Sequence, residues 1–253
     1  MKYVREGRFG PPKTFKTGSV VGTYPKPMLV IQFDPGGLEI IRDQSKIKWM
    51  TIEELKAFIV SKATPSTDIT AVDLAFKPAF DLVTNYVPAQ NKISFEGIVA
   101  VANMLREHNP FKTIVIDTVT GLSESIWQHQ AVMNAAALAD PRKWAGNIGM
   151  KTGQLIDWFT GLPCNSVFIF HSEIEKNELT GEIRILPSVY SKLREFLGGK
   201  FSQFLYQEGD GSQVRVKPFG NIKGIGCRWP AFTSELVGSD FNSIYGKEAD
   251  VYK

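Results

Sequence analysis

Gly10-Pro11-Pro12-Lys13-Thr14-Phe15-Lys16-Thr17, with Gly18 behind it, is the stretch that decides how this chain is read. Its spacing is G-x-x-x-x-F-K-T, one residue away from the pattern G-x-x-x-x-G-K-[ST] of loops that cradle phosphates. The chemistry accounts for the spacing. Exposed backbone N–H groups wrap the outer phosphates of a nucleotide, and the helix that follows adds its positive end. Lys16 is placed to reach the β- and γ-phosphate oxygens, and the Thr17 hydroxyl to bind Mg2+. The departure is Phe15, where glycine is usual. That position often needs a left-handed backbone, which a residue with a Cβ resists by about 1 kcal/mol or somewhat more. Taken alone, the stretch also reads as a Gly/Pro turn followed by a basic residue.

The flanking sequence agrees with the loop. Residues 18–24 form a short helical stretch, ended by Pro25-Lys26-Pro27. Met28-Leu29-Val30-Ile31-Gln32-Phe33 is an apolar, β-rich run, and Asp34-Pro35-Gly36-Gly37 turns the chain. An apolar strand closed by an acid and a turn is what a parallel sheet produces, because its ligand-binding edge lies at the strand C-termini. Asp34 belongs at that rim, either as a functional acid or as a turn-former. Phe111-Lys112-Thr113-Ile114-Val115-Ile116-Asp117-Thr118 is a second such strand. Asp117 has the place of the acid that supports Mg2+ in phosphate-loop enzymes, the Walker B pattern. A third strand, Ser166-Val167-Phe168-Ile169-Phe170-His171-Ser172-Glu173, puts His171 at its tip. There it could sense a γ-phosphate or simply satisfy its neighbours.

Composition is that of a globular α/β chain. The 253 residues are 43% hydrophobic, enough to bury a sizeable core. A net charge of +3 gives no global polyanion-binding signature, so any nucleic-acid contact must come from local patches. Cys164 and Cys227 follow no metal spacing and read as reduced thiols of a cytoplasmic protein. No run has the length of a membrane helix and no apolar leader opens the chain, so no membrane partner is expected.

Elsewhere the pattern is coarser. Residues 38–95 read as a peripheral insertion carrying one helix at 51–60, opened by Thr51 or Met50 with Glu53 and Glu54 in its first turn. Helical stripes cover 94–106 and 122–131, with Asn109-Pro110 stopping the first. Residues 139–149 read as a polar, Gly-bearing loop, and helical periodicity resumes at 150–159. Within that loop Trp144, beside Arg142 and Lys143, is a candidate for stacking on bases, with core packing as its alternative. A hairpin turns at Leu179-Thr180-Gly181, a helix spans 187–199, and two strands at 201–208 and 213–218 form an antiparallel extension within 200–230. Arg215 and Lys217 alternate onto one face of it, and Lys223 and Arg228 follow.

The ordered set GPPKTFKTGS, YPKPMLVIQFDPGG, FKTIVIDTVTGL, NSVFIFHSEIEKNELTGEIRILPSV, FSQFLYQE and VRVKPFGNIKGIGCRWP resembles the RecA-like, AAA-type P-loop ATPases of phages. Within them it is most similar to the Sak-type single-strand annealing and recombination group. The resemblance runs from Gly10 to about Pro230. It implies one RecA-like ATPase domain over 1–253: a mostly parallel central sheet flanked by helices, with the C-terminal antiparallel extension. It implies that Gly10, Pro11, Pro12, Lys13, Thr14, Phe15, Lys16, Thr17 and Gly18 bind ATP, and that Thr17 and Asp117 hold Mg2+. Asp34, or Glu39, would orient the attacking water, and His171 would couple hydrolysis to DNA. Arg215 and Lys217 would act across a subunit boundary. The implied protein binds single-stranded DNA as a homo-oligomer, ring or filament, in the host cytoplasm, with a phage single-strand-binding protein as a further partner. Phe15 departs from the family's glycine and makes binding a firmer expectation than rapid hydrolysis. A non-hydrolysing nucleotide-binding scaffold or replication accessory protein is the rival expectation. A small-molecule kinase is a distant third, for want of an arginine-rich lid.

Overall fold

The computed structural model describes residues 3–34, 37–74, 89–133, 141–209, 213–217 and 236–246, with the main chain alone at 89–95, 128–133, 141–145, 191, 192, 195, 236 and 237. The elements in order are β1 (Arg5–Gly10), α1 (Lys16–Thr23), β2 (Met28–Gln32), β3 (Ile47–Trp49), α2 (Ile52–Val60), β4 (Ile69–Asp73), α3 (Ala89–Glu107), β5 (Thr113–Asp117), α4 (Val119–Met133), α5 (Pro141–Thr160), β6 (Asn165–Lys176), β7 (Ile183–Pro187), α6 (Ser191–Lys200), β8 (Gln203–Gly209), β9 (Val214–Lys217), β10 (Leu236–Val237) and α7 (Phe241–Tyr245). Two short 3-10 turns, Gly37–Ile40 and Gln44–Lys46, precede β3.

The strands form one α/β sheet in the order β10-β9-β8-β1-β6-β5-β2-β4-β3, with β7 paired to the outer half of β6. From β8 to β3 every pairing is parallel, and β9, β10 and β7 add antiparallel partners. The parallel strands are apolar on both sides because both faces are covered. Leu29 and Ile31 of β2, with Ile114 and Ile116 of β5, join the cluster under α2 to α6. Val30, Val115, Val167 and Ile169 face the other way, toward Val20 and Val21 of α1 and Phe241, Ile244 and Tyr245 of α7. Among the described residues no helix is long and apolar enough to cross a membrane.

Four expectations from sequence are corrected here. Residues 38–95 are not all peripheral: β4 pairs with β2 in the central sheet and β3 pairs with β4 at its edge. The run Ile69-Thr70-Ala71-Val72-Asp73 is short and mixed, so it lacks the continuous apolar signature of a buried strand, although four of its five residues are buried. The helix in that region is as expected, with a Thr51–Glu54 capping box. Residues 139–149 were expected as a loop, but from Pro141 onward they are the first turns of α5. Proline suits the first helical position, and farther along the same helix Gly153 gives room to α6. A Cβ on Gly153 would lie 3.3 Å from Leu193 Cδ1. The side chain of Trp144 lies outside the described residues, as do Lys223, Cys227 and Arg228. The extension within 200–230 is antiparallel only from β9 on, since β8 runs parallel to β1 inside the sheet. The 187–199 helix begins at Ser191, because Pro187 is taken by β7, and it carries Gly198 and Gly199 through to Lys200.

Candidate nucleotide site

Four parallel strands end on one edge. Gly10 of β1 stands opposite His171 of β6, and Gln32 of β2 opposite Asp117 of β5. The turn after β1 climbs from this edge into α1. Together they enclose a cavity of about 360 Å³ lined by residues 12–18, Asp34, Gly37, Glu39, Ile40, Asp117, Thr118, Ile169 and His171. That volume lies within the usual span of ligand pockets, about 300–1,000 Å³.

The loop has the backbone that phosphate cradles use. Lys13 (φ 62°) and Phe15 (φ 63°, ψ 23°) are left-handed on either side of Thr14. Alternation of this kind turns successive N–H groups to one side and makes an anion nest. Phe15 therefore occupies the conformation that glycine normally supplies. Its ring, 46% exposed, lies over Gly18, where a Cβ would come within 2.4 Å of the ring. The Ser19 N–H donates to Phe15 O at 3.0 Å and fixes the start of α1.

Lys16 is buried and folded back on the loop. Its Nζ donates to Gly10 O (3.0 Å), Pro11 O (2.6 Å) and Thr14 Oγ1 (3.3 Å). Burial pushes the ammonium down to about 8, against the pull of Asp117 and Asp34. Thr17 Oγ1 donates to Asp117 Oδ2 at 2.9 Å. Burial lifts the Asp117 carboxyl to about 6, opposed by the Thr17 bond and reinforced by Asp34. Gly37 closes over the same carboxylate: a Cβ there would lie 2.5 Å from Oδ2. A hydroxyl and a carboxylate converging with no space for a side chain between them are hard oxygen donors of the kind Mg2+ takes. The residues present therefore fit the ion.

Asp34 and His171, read separately in the sequence, meet. His171 Nε2 lies 2.5 Å from Asp34 Oδ2, and Thr118 Oγ1 donates to Asp34 Oδ1 at 3.1 Å. Both carboxylate oxygens are thus engaged. Thr120 Oγ1 accepts the His171 N–H and donates to Ser188 O, and His171 O accepts from the Ser188 N–H. His171 is the residue at which β6 passes from the core sheet into its hairpin with β7. Glu39 is exposed at the cavity mouth, on the 3-10 turn.

Arg215 and Lys217 do not join this cavity. They sit on β9, and Lys217 Nζ pairs with Glu208 Oε1 of β8 at 2.6 Å. Sequence reasoning missed Gln32, whose Oε1 accepts from the Leu38 N–H at 3.0 Å and so orients the Gly37 turn over Asp117. It also missed Thr118 and Thr120. A hydroxyl one and three residues past a strand-ending acid was the available signal.

No curated protein matches the sequence. Among solved structures, a KaiC-like protein from the hyperthermophilic archaeon Pyrococcus horikoshii OT3 is similar over 92% of this chain and 84% of its own, at 10% identity and a TM-score of 0.45. The family model of the AAA domain matches residues 7–223, the stretch that holds both the loop and the strand-end acids, and the chain belongs to that family.

Proposed function

We propose that this AAA-domain protein is a Mg2+-dependent ATP-binding, slowly hydrolysing recombination protein of phage type. It would bind single-stranded DNA as an oligomer and promote annealing or strand pairing. One observation carries the nucleotide part. Lys16, Thr17, Asp117, Asp34 and His171, drawn from α1 and from the ends of β2, β5 and β6, line a single cavity. The DNA part rests on the resemblance of the ordered motifs and on the place of His171 at the root of an exposed hairpin.

In this reading Lys16 leaves the carbonyls of Gly10 and Pro11 for phosphate oxygens, and its charge offsets theirs in a site shielded from water. The Thr17 hydroxyl and Asp117 would hold Mg2+, which when bound neutralises charge on the outer phosphates. Asp34, oriented by Thr118 and His171, positions the attacking water. Movement of His171 on engaging a phosphate would pass to Ser188 and the hairpin, where DNA is expected. Arg215 and Lys217 act toward a neighbouring subunit only after Lys217 gives up Glu208.

The engagement of both Asp34 oxygens favours a second reading, a nucleotide-binding scaffold or replication accessory protein without turnover. Steady-state ATPase assays with and without single-stranded DNA, on the wild type and Lys16→Ala, separate the two. The proposal expects DNA-stimulated turnover lost in K16A, with Mg-ATP affinity reduced about 10- to 100-fold, the worth of charge-assisted bonds. Binding without turnover under every condition supports the scaffold, and no binding at millimolar Mg-ATP ends both.

A further inference from the structure

The phosphate loop rests on a residue nearly two hundred positions away. Gln207 of β8 is fully buried. Its Nε2 donates to Thr14 O at 2.6 Å. Its Oε1 accepts from Arg8 Nη1 at 3.2 Å. Its own main-chain oxygen occupies the space beside Gly10, where a Cβ would lie 1.9 Å away. Both ends of the loop therefore lie on one residue, Gly10 on its backbone and Thr14 on its side chain.

The amide can point only one way. Turned over, it would set Oε1 against a carbonyl and Nε2 against a guanidinium, two unmade bonds in a buried place. Arg8, which imposes this, is itself immobilised. It is fully buried and donates to Glu6 Oε1 (2.7 Å), Ser19 Oγ (2.8 Å), Tyr24 OH (2.8 Å) and Ser239 O (3.1 Å). Glu6 in turn accepts from the hydroxyls of Tyr24 and Tyr245. The orientation of Gln207 is thus dictated by a buried ion pair shared among β1, α1 and the segment ending in α7.

The consequence reaches the site through peptide geometry. In a planar trans peptide the C=O and the following N–H point in opposite directions. Holding Thr14 O down on Gln207 turns the Phe15 N–H away from β8. We propose that Gln207 is a positioning residue for nucleotide binding: by anchoring the Thr14 carbonyl it aims the Phe15 N–H at the phosphates. The proposal rests on the reading of the loop as a triphosphate site.

The test is calorimetric titration of Mg-ATP into Gln207→Leu, which keeps the bulk and removes both bonds, well below the unfolding midpoint. Affinity should fall about tenfold, the worth of one orienting hydrogen bond. A role in stability alone would lower the midpoint and leave the affinity of the folded protein unchanged. The second readout is spectroscopic. In protein labelled with 15N at its 17 phenylalanines, with the Phe15 peak assigned by Phe15→Tyr, Mg-ATP should shift that amide in the wild type and shift it less in Q207L. If Q207L does not fold, Gln207→Asn, one methylene too short to reach Thr14, is measured in the same way. A folded variant that binds within twofold of the wild type, with an unaltered Phe15 shift, overturns the proposal alone. A wild type that takes up no Mg-ATP overturns it together with the site on which it rests.

Discussion

Phe15 offers the sharpest test of the loop. At φ 63° it sits where a side chain with a Cβ costs about 1–2 kcal/mol. Phe15→Gly and Phe15→Ala both delete the ring and its contact with Gly18, so packing losses cancel between them. What remains is the left-handed penalty, which alanine bears and glycine does not. Glycine's greater freedom in the unfolded chain takes back about 0.4–1 kcal/mol. F15G should therefore be more stable than F15A by roughly 0.5–1 kcal/mol, the net of those two effects. At an ordinary helical or extended position the order is reversed by about the same amount, so the sign decides. Urea titration at equal m-value is the assay. In a chain of this size the difference appears as about 1–4 °C in melting midpoint. An F15A variant equal to or more stable than F15G would show that residue 15 is not left-handed, and the cradle geometry would fall with it.

Gly18→Ala should destabilise the wild type, because its Cβ meets the Phe15 ring at 2.4 Å, yet be neutral or favourable in the F15G background. A coupling of about 0.5–3 kcal/mol in the four-variant cycle checks it. Gly10→Ala places a Cβ 1.9 Å from backbone that no rotamer can move, and should cost about 3 kcal/mol or more, or prevent folding, read by denaturant titration. Lys16, lowered to about 8 by burial, loses its charge in the free site above that pH, so Mg-ATP affinity should fall as pH rises past 8. Bound phosphates restore the charge, so binding at pH 8–9 should take up a proton, measured by calorimetry in buffers of different ionisation enthalpy. For the free protein the sign is opposite. The unfolded chain holds this proton up to about 10.4, so between about 8 and there the nucleotide-free fold gains stability with pH from this group.

The parts of this molecule that sequence reveals are those whose chemistry is local. A loop must pass its N–H groups in order, and a buried parallel strand must be apolar throughout, so residues 10–18 and the strands ending near Asp34, Asp117 and His171 could be read directly. Strand order is another matter. Asp34 and His171 lie on strands that β5 separates in the sheet, so each could be assigned to the correct edge while their pairing stayed hidden. β4 escaped because Thr70 breaks its apolar run, and the start of α5 because Gly146 and Gly149 look like loop residues. Gln207 carries no signal at all. A lone glutamine in a strand acquires a role only when the register Phe9↔Tyr206 brings β8 against β1.

How an aromatic residue holds a glycine's backbone follows from what pins it on both sides. Local strain of about 1–2 kcal/mol persists only where the surroundings over-determine the conformation. Before Phe15, Gln207 fixes the Thr14 carbonyl; after it, the Ser19 N–H fixes the carbonyl of Phe15 itself. Each bond is worth about 1 kcal/mol, so together they offset the strain. Gly18, three residues along, admits the ring that glycine at 15 would have made unnecessary. The loop is thus shaped by bonds to the sheet and to α1 rather than by a ligand. Within it, Lys16 covers the carbonyls of Gly10 and Pro11. On the proposed reading, a triphosphate entering this cavity would meet a loop already held in shape by the protein, and would draw the Lys16 ammonium off those two carbonyls. Preorganisation of that kind favours binding more than turnover, whereas hydrolysis, on the same reading, would further require Asp34 to release one of the two partners that occupy its oxygens.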